Sequence, residues 1–231
     1  MSMSIAENLE EVREEMAQAC LRAGRRAEDA TLVAVSKYVD LERIAQAAEA
    51  GQRVFGENHA QELTEKKTFF EQHGCEVHFI GHLQTNKIKY VCGFVDLVES
   101  VDRENLASLL NRRAESQKVV QDILIQVNIG AEVQKGGVTD GDLDCFADSL
   151  GSCSNLRLRG LMCVPPALEP EEARPYFRKM RRLYENLQNR FDPRVFDTLS
   201  MGMSHDFAVA IEEGATQVRV GTRIFGARDR L

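Results

Sequence analysis

Eight short apolar runs recur along this chain of 231 residues, and most of them are followed by a stretch with helical spacing. Short apolar runs are typical of buried strands, and apolar residues repeated every three or four positions are typical of helices. Eight strand–helix units in about 200 residues favour an α/β fold that closes into a (β/α)8 barrel, the TIM barrel. An open, doubly wound sheet is the alternative. The predicted strands cover residues 31–37, 53–58, 77–83, 95–101, 122–129, 156–164, 198–204 and 217–225.

A further helical pattern precedes the first strand. Its apolar positions run from Ile5 to Cys20, and Gly24 is well suited to end it. Because the sequence stops soon after the eighth run, we expect this N-terminal helix, residues 1–24, to pack over the seam of the barrel. No Pro-, Gly- or Ser-rich linker divides the chain, so residues 1–231 are predicted to form a single domain. The helices predicted after strands cover residues 41–50, 60–72, 87–92, 102–116 with Asp102 as N-cap, 139–150, 170–190 and 206–213.

Composition narrows the range of partners. The chain has 29 basic and 36 acidic residues, a net charge of −7, which argues against nucleic acid as the main partner. It shows neither a secretory signal nor an apolar stretch long enough to cross a membrane, so we expect a cytoplasmic protein. Its six cysteines form no CxxC pair, which favours reduced thiols and gives no support for a metal site.

Polar residues stand at the ends of three predicted strands that a closed barrel makes neighbours. Lys37 ends the first run, Ser204 ends the seventh, and Arg219 shares a face of the eighth with Gly221. In this fold the functional site lies at the carboxyl ends of the strands. We therefore expect Lys37, Ser204, Arg219 and the pair Gly221–Thr222 to meet at one mouth of the barrel.

Each of these residues also has a structural interpretation. A lysine at a strand end commonly extends its ammonium group into solvent. Arg219, which lies among apolar residues, could form a buried ion pair with an acidic neighbour. Ser204 could cap the next helix, whose N-terminus could equally hold a phosphate. His78 and His82 are four residues apart on a predicted strand and are expected to share a face, in a structural or substrate-contact role.

Six motifs along the chain resemble those of the pyridoxal phosphate homeostasis proteins, the YggS/PROSC family. They are, in order, residues 33–37 (VAVSK), 55–58 (FGEN), 78–81 (HFIG), 160–162 (GLM), 199–204 (LSMGMS) and 218–222 (VRVGT). The resemblance covers nearly the whole chain and implies a barrel like the N-terminal domain of alanine racemase, which is the fold type III arrangement for binding pyridoxal 5′-phosphate (PLP).

The resemblance also implies a set of cofactor-binding residues. Lys37 would form a Schiff base with PLP, and Arg219 would face the pyridine nitrogen. The phosphate would be held by Ser204, Gly221 and Thr222, with Ser200 as a helper, and the ring would be lined by Asn58 and Met162. A permanently charged arginine disfavours protonation of the ring nitrogen, which makes the ring a poorer electron sink.

The function expected from these features is a PLP-binding protein of intracellular vitamin B6 homeostasis that acts without catalytic turnover. We expect a monomer, with PLP-dependent apoenzymes as candidate recipients. The alternative is a PLP-dependent amino-acid racemase, which needs a base on each face of the substrate carbon. In similar racemases the second base comes from an additional C-terminal domain, which we do not expect in this chain. A barrel isomerase acting on phosphosugars without a covalent cofactor is a third interpretation.

Overall fold

The computed structural model describes residues 3–132 and 134–226. Its strands are parallel and close into a barrel in chain order. They are β1 (Thr31–Val35), β2 (Val54–Glu57), β3 (Glu76–Phe79), β4 (Leu97–Val101), β5 (Gln121–Val127), β6 (Leu156–Cys163), β7 (Thr198–Met203) and β8 (Gln217–Val220). β1 pairs with both β2 and β8, and Leu32 lies opposite Val218 in the closing pair. The predicted (β/α)8 barrel is therefore confirmed, and the open sheet is excluded.

Helices surround the barrel. α1 (Ile5–Arg22) precedes β1, and each of the other helices follows a strand. They are α2 (Leu41–Glu49), α3 (Ala60–Gln72), α4 (Ile88–Val91), α5 (Glu104–Gln117), α6 (Leu143–Ser149), α7 (Pro170–Gln188), α8 (Phe207–Glu212) and α9 (Thr222–Phe225). Short 3-10 turns precede α4 and flank α6. In the part of the chain described, the helices are too short or too polar to span a bilayer.

Some predicted boundaries differ from the structure. β1 ends at Val35, so Lys37 lies in the turn after the strand. β8 ends at Val220 and α9 follows, because an apolar run alone does not distinguish a strand from a buried helical turn. The prediction that Asp102 is the N-cap of α5 is wrong, because Arg103 occupies that position. Asp102 instead forms an ion pair with the Arg103 guanidinium at 2.5 Å.

The N-terminal helix α1 lies against α2, α8 and α9, next to the pair of strands that closes the barrel. The side chain of Ser4 caps it, and Glu7 completes a capping box. Asn8 Nδ2 donates to the carbonyl oxygen of Ile224 at 2.9 Å, and Arg223 on α9 forms ion pairs with two glutamates of α1. α1 is thus attached to the last helical turn of the described chain by polar contacts as well as by its buried apolar face.

The interior of the barrel is unusual for this fold. The main core lies between the strands and the helices, whereas Leu97, Leu124 and Met162 form a small separate cluster inside the strands. Beside this cluster lie charged side chains with almost no solvent exposure: His78 at 2%, Glu99 at 0% and Arg219 at 4%. Barrel interiors are usually filled by branched aliphatic residues, so buried charges at this place need a reason other than packing.

Candidate functional site

The ends of β7, β8 and β1 are in direct contact at the carboxyl mouth of the barrel. The Gly221 N–H donates to Ser204 Oγ at 3.2 Å. A Cβ at Gly221 would lie 3.3 Å from the carbonyl oxygen of Val35, so the backbone after β8 approaches the end of β1 closely. Lys37 is two residues beyond Val35, and Thr222, which is exposed, begins α9. The structure thus brings Ser204 and Gly221, which lie near the end of the sequence, next to the strand end that precedes Lys37.

The turn that carries Lys37 is held on both sides of the lysine. Before it, Ser36 is buried and its carbonyl oxygen accepts from Lys66 Nζ at 2.7 Å. After it, the Tyr38 N–H donates to Glu62 Oε2 at 2.7 Å. Lys37 itself is half-buried. These contacts restrict the backbone at the position from which the amine extends.

Tyr38 has a left-handed backbone conformation, with φ at +60°. This conformation costs a residue with a Cβ about 1 kcal/mol or more, and such strain tends to occur at functional sites. The Tyr38 hydroxyl lies 2.8 Å from His59 Nε2, and the two rings pack with centroids 5.2 Å apart. The strained residue is therefore fixed both by its backbone N–H and by its side chain.

A buried ionic cluster supports this turn from behind. Lys66 Nζ contacts Glu57 Oε1 at 2.9 Å and Glu62 Oε2 at 3.1 Å, and Ser36 Oγ donates to Glu57 Oε1 at 2.7 Å. Burial raises the pKa of Glu57, and the Lys66 charge and the Ser36 hydroxyl offset part of that rise. The sequence does not single out Glu57 or Lys66 as site residues. The available signal was the spacing of Lys66, which falls on the buried face of α3 between Leu63 and Phe70.

Asn58 follows β2 at the same mouth. Its Oδ1 atom is buried and has no hydrogen-bond partner among the residues described. A Cβ at Gly81 would lie 2.2 Å from the Asn58 carbonyl oxygen, so only glycine allows the two chain segments to pack this closely. A buried acceptor without a partner is costly, so this oxygen is a candidate contact for a ligand at the mouth.

Arg219 spans the barrel from β8 towards β6. Its Nη2 donates to the carbonyl oxygen of Cys163, the last residue of β6, at 2.8 Å. Its Nη1 contacts Ser200 Oγ and lies 3.7 Å from Glu99 Oε2. The buried ion pair considered as its structural interpretation is thus present. The expected position of Arg219 at a ring nitrogen remains a prediction.

Ser200 and His78 belong to the same interior network. Ser200 Oγ donates to Glu99 Oε2 at 2.6 Å, so this hydroxyl contacts Arg219 and Glu99, whereas Ser204 contacts Gly221. His78 Nδ1 lies 2.9 Å from Glu99 Oε1, and its Nε2 lies 2.9 Å from Glu76 Oε1. Because both partners are carboxylates, both ring nitrogens donate and the imidazole is positively charged.

The charges in this network shift one another's pKa values. Burial alone would lower the pKa of His78, but its hydrogen bonds to Glu76 and Glu99 raise it to about 9. Burial would raise the pKa of Glu99, but His78, Arg219 and Ser200 more than offset this, and its pKa is lowered. Glu99 therefore remains a carboxylate although it is fully buried.

The remaining predicted residues, Met162 and the two histidines, lie in different parts of the barrel. Met162 is 1% exposed and lies in the interior cluster with Leu97 and Leu124. The expectation that His82 shares a strand face with His78 is wrong, because β3 ends at Phe79. His82 instead lines a mouth cavity of about 690 Å³ with Asn58, whereas His78 lines one of about 560 Å³ at the opposite end. Within the described residues no group of three or more His, Cys, Asp or Glu could hold a metal ion.

The N-terminus of α8 differs from the expectation. Asp206, not Ser204, is its N-cap residue, and Asp206 Oδ1 accepts from the Met203 N–H at 2.6 Å. A carboxylate at this position disfavours a phosphate on the helix end itself. Ser204 is therefore available to the cluster that it forms with Gly221.

Comparison with known proteins identifies the family. The family model described as alanine racemase, N-terminal domain, matches residues 4–229. The chain is 47% identical over 227 residues to the pyridoxal phosphate homeostasis protein of Aquifex aeolicus (strain VF5), covering 98% of this chain and 99% of that one. It is 43% identical over 230 residues to the protein of the same name from Escherichia coli (strain K12), with 97% of each chain covered.

Solved structures give the same result. PipY of Synechococcus elongatus PCC7942, solved with PLP bound, superposes with a TM-score of 0.84 at 33% identity, over 96% of this chain and 100% of that one. Alanine racemase of Corynebacterium glutamicum superposes with a TM-score of 0.69 at 17% identity, over 98% of this chain and 61% of that one, which shows a shared fold alone. The chain therefore belongs to the pyridoxal phosphate homeostasis protein family, within the group defined by the alanine racemase N-terminal domain.

Proposed function

We propose that this protein binds PLP at the carboxyl mouth of its barrel, through a covalent linkage to Lys37, and takes part in intracellular PLP homeostasis by holding and supplying the cofactor. The observation that carries the proposal is the contact between the ends of β1, β7 and β8, in which Gly221 lies beside Ser204 and beside Val35, two residues before Lys37. Support comes from PipY, the relative at 33% identity whose structure contains PLP.

The residues at the mouth fit this cofactor. PLP supplies an aldehyde that reacts with amines and a ring that withdraws electrons. Lys37 would hold the aldehyde carbon through its amine. The Ser204 hydroxyl, the Gly221 backbone and Thr222 would bind the phosphate, since hydroxyls and backbone N–H groups are its usual partners.

Residues of the mouth and of the barrel interior would position the ring. Asn58, whose buried Oδ1 has no partner among the described residues, and Met162 would line it, and Arg219 would face its nitrogen. Ser200 would support Arg219 by contacting its guanidinium. Arg219 would then keep the ring nitrogen unprotonated, because a second positive charge beside the guanidinium is unfavourable. Weak electron withdrawal by the ring is consistent with a protein that holds PLP without turnover. We propose PLP-dependent apoenzymes as the recipients of the cofactor.

The decisive experiment combines spectroscopy with mass mapping. The purified protein is incubated with PLP, its visible spectrum is recorded before and after borohydride reduction, and the reduced protein is digested. We expect an absorbance band that reduction removes, and a pyridoxyl group on the peptide that contains Lys37. Lys37→Ala should lose both signals and remain folded. Lys87→Ala, a change to a lysine that lines the mouth cavity with Asn58, should keep them.

The same preparation tests the absence of turnover. The loaded protein is incubated with L-alanine, and the D-enantiomer is assayed over hours. We expect no D-alanine above the level produced by free PLP. A wild-type protein that takes up no PLP would overturn the binding proposal, and measurable racemisation that depends on Lys37 would replace the homeostasis function with the racemase alternative.

A further inference from the structure

A continuous line of charged side chains runs through the barrel from one end to the other. It begins with Glu76, half-exposed in the cavity at the amino ends of the strands, and continues through His78 to Glu99. It ends at Arg219, whose guanidinium reaches the end of β6. The charges alternate in sign along the line: negative, positive, negative, positive. The line therefore connects the end of the barrel opposite the cofactor mouth with the arginine at that mouth.

This arrangement is not what stability alone would select. Buried charges are costly to desolvate, and well-packed apolar residues of similar volume often stabilise a protein as much or more. The same interior already contains an apolar cluster of Leu97, Leu124 and Met162, so the barrel can be filled in the usual way. The charged line instead converges on the one cationic side chain that the proposed function places beside the ring.

Ser200 and Gln217 connect the carboxylate of Glu99 with the guanidinium. The Ser200 hydroxyl accepts from Arg219 and donates to Glu99, and Gln217 Nε2 donates to Glu99 Oε1 at 2.6 Å and to Ser200 Oγ at 3.0 Å. These hydrogen bonds all end at Glu99 or at the hydroxyl bound to it, and the other Arg219 nitrogen donates to the Cys163 carbonyl oxygen. Glu99, through Ser200, thus fixes one side of the guanidinium, and Cys163 fixes the other.

We propose that Glu99 and His78 are positioning residues for Arg219, which set the electrostatic potential that the PLP linkage experiences at the other side of the guanidinium. The proposal rests on the proposed function, because it needs PLP bound at Lys37. Glu99 makes the potential around Arg219 less positive, and His78 in turn makes the potential around Glu99 less negative. Removal of Glu99 therefore makes the potential at the mouth more positive, and removal of His78 makes it less positive.

Other charged groups lie near this line, and none of them is substituted in the test. Asp206, at the start of α8, and the Cys163 thiol on β6 interact electrostatically with Arg219. Arg159 and Asp122 interact with Glu76 at the far end. Since none of these groups is changed, their contributions cancel when variants are compared with the wild type.

The test is a pH titration of the visible absorbance of the PLP-loaded protein, which reports protonation of the linkage nitrogen. A unit charge at about 12 Å shifts a protonation midpoint by about one pH unit at an effective dielectric constant near 20. We expect Glu99→Gln to lower the midpoint by about this amount and His78→Gln to raise it. The double variant should return close to the wild-type midpoint. Glu71→Gln, which removes a carboxylate of the same charge from the exposed surface of α3, should leave the midpoint unchanged.

The outcomes distinguish failure of this inference from failure of the proposed function. If the titration midpoint falls in both single variants, or equals the wild-type midpoint in both, the positioning role is overturned. A wild type that does not load PLP overturns the proposed function instead. If Glu99→Gln does not fold, ¹⁵N NMR of the wild-type imidazoles decides: His78 must carry protons on both nitrogens at pH 7.5, and a neutral His78 overturns the proposal.

Discussion

Replacement of His78 by glutamine should remove a specific pH dependence from the stability of the barrel. His78 is 2% exposed and lies between the carboxylates of Glu76 and Glu99. These partners raise its pKa from 6.5 to about 9 in the folded protein. The folded state therefore keeps a proton, between these two pH values, that the unfolded state has released.

The sign and the size of the effect follow from this difference. The stabilisation is complete below pH 6.5 and is lost as the pH rises through 9, because unfolding then releases a proton. A pKa difference of this size corresponds to about 3 kcal/mol in total, of which about 2 kcal/mol is lost between pH 6 and pH 8. Thiols of the unfolded chain begin to ionise near the upper end of this window, but the wild type and the variant contain the same cysteines, so that contribution cancels in the comparison.

The assay is urea unfolding of the cofactor-free protein at pH 6 and pH 8, at one ionic strength. The wild type should lose about 2 kcal/mol more of its unfolding free energy over this interval than His78→Gln does. His205→Gln is the matched control, since the side chain of His205 is 67% exposed and makes only a 3.4 Å contact with Glu169. Parallel pH dependence in the wild type and in His78→Gln would refute the assignment of an imidazolium inside the barrel.

Two further substitutions test the support of the site. Lys66→Met should lower the unfolding free energy by about 3–5 kcal/mol in urea unfolding, because it leaves Glu57 buried without its cation, whereas Lys67→Met on the exposed side of α3 should cost less than about 1 kcal/mol; equal losses would contradict the buried pair. Gly81→Ala places a Cβ against the Asn58 carbonyl oxygen and should weaken PLP binding measured by absorbance titration. Binding at wild-type strength would show that the position of Asn58 does not matter.

The fold and much of the mouth could be predicted because both depend on local signals. Periodic apolar runs gave the strands, and closure of a barrel makes the first strand a neighbour of the eighth. That topology was sufficient to place the end of β1 next to Gly221 and Ser204, because strand ends can be located from the sequence to within a few residues. The role of Lys37 beside them stays a prediction.

The interior network could not be predicted in the same way. Glu99 stands within the apolar run 95–101, and its partners His78, Ser200 and Arg219 lie on three other strands. No spacing rule relates residues on different strands across a barrel, so a buried carboxylate in such a run looks like an isolated exception. The same reason explains why Ser200 and Ser204, only four residues apart, belong to different groups.

The attachment of α1 to α9 has a consequence for how the molecule forms. Asn8 bonds to Ile224, 216 positions later, and β1 pairs with β8, so the contacts that close the barrel are among the most distant in sequence. Contacts of this kind slow folding, because a long loop must be ordered before they give any stabilisation. Lys37 comes from the first strand–helix unit and Arg219 from the last. A nascent chain still lacking the eighth strand would therefore have no assembled cofactor site, and acquisition of the cofactor would report that closure is complete.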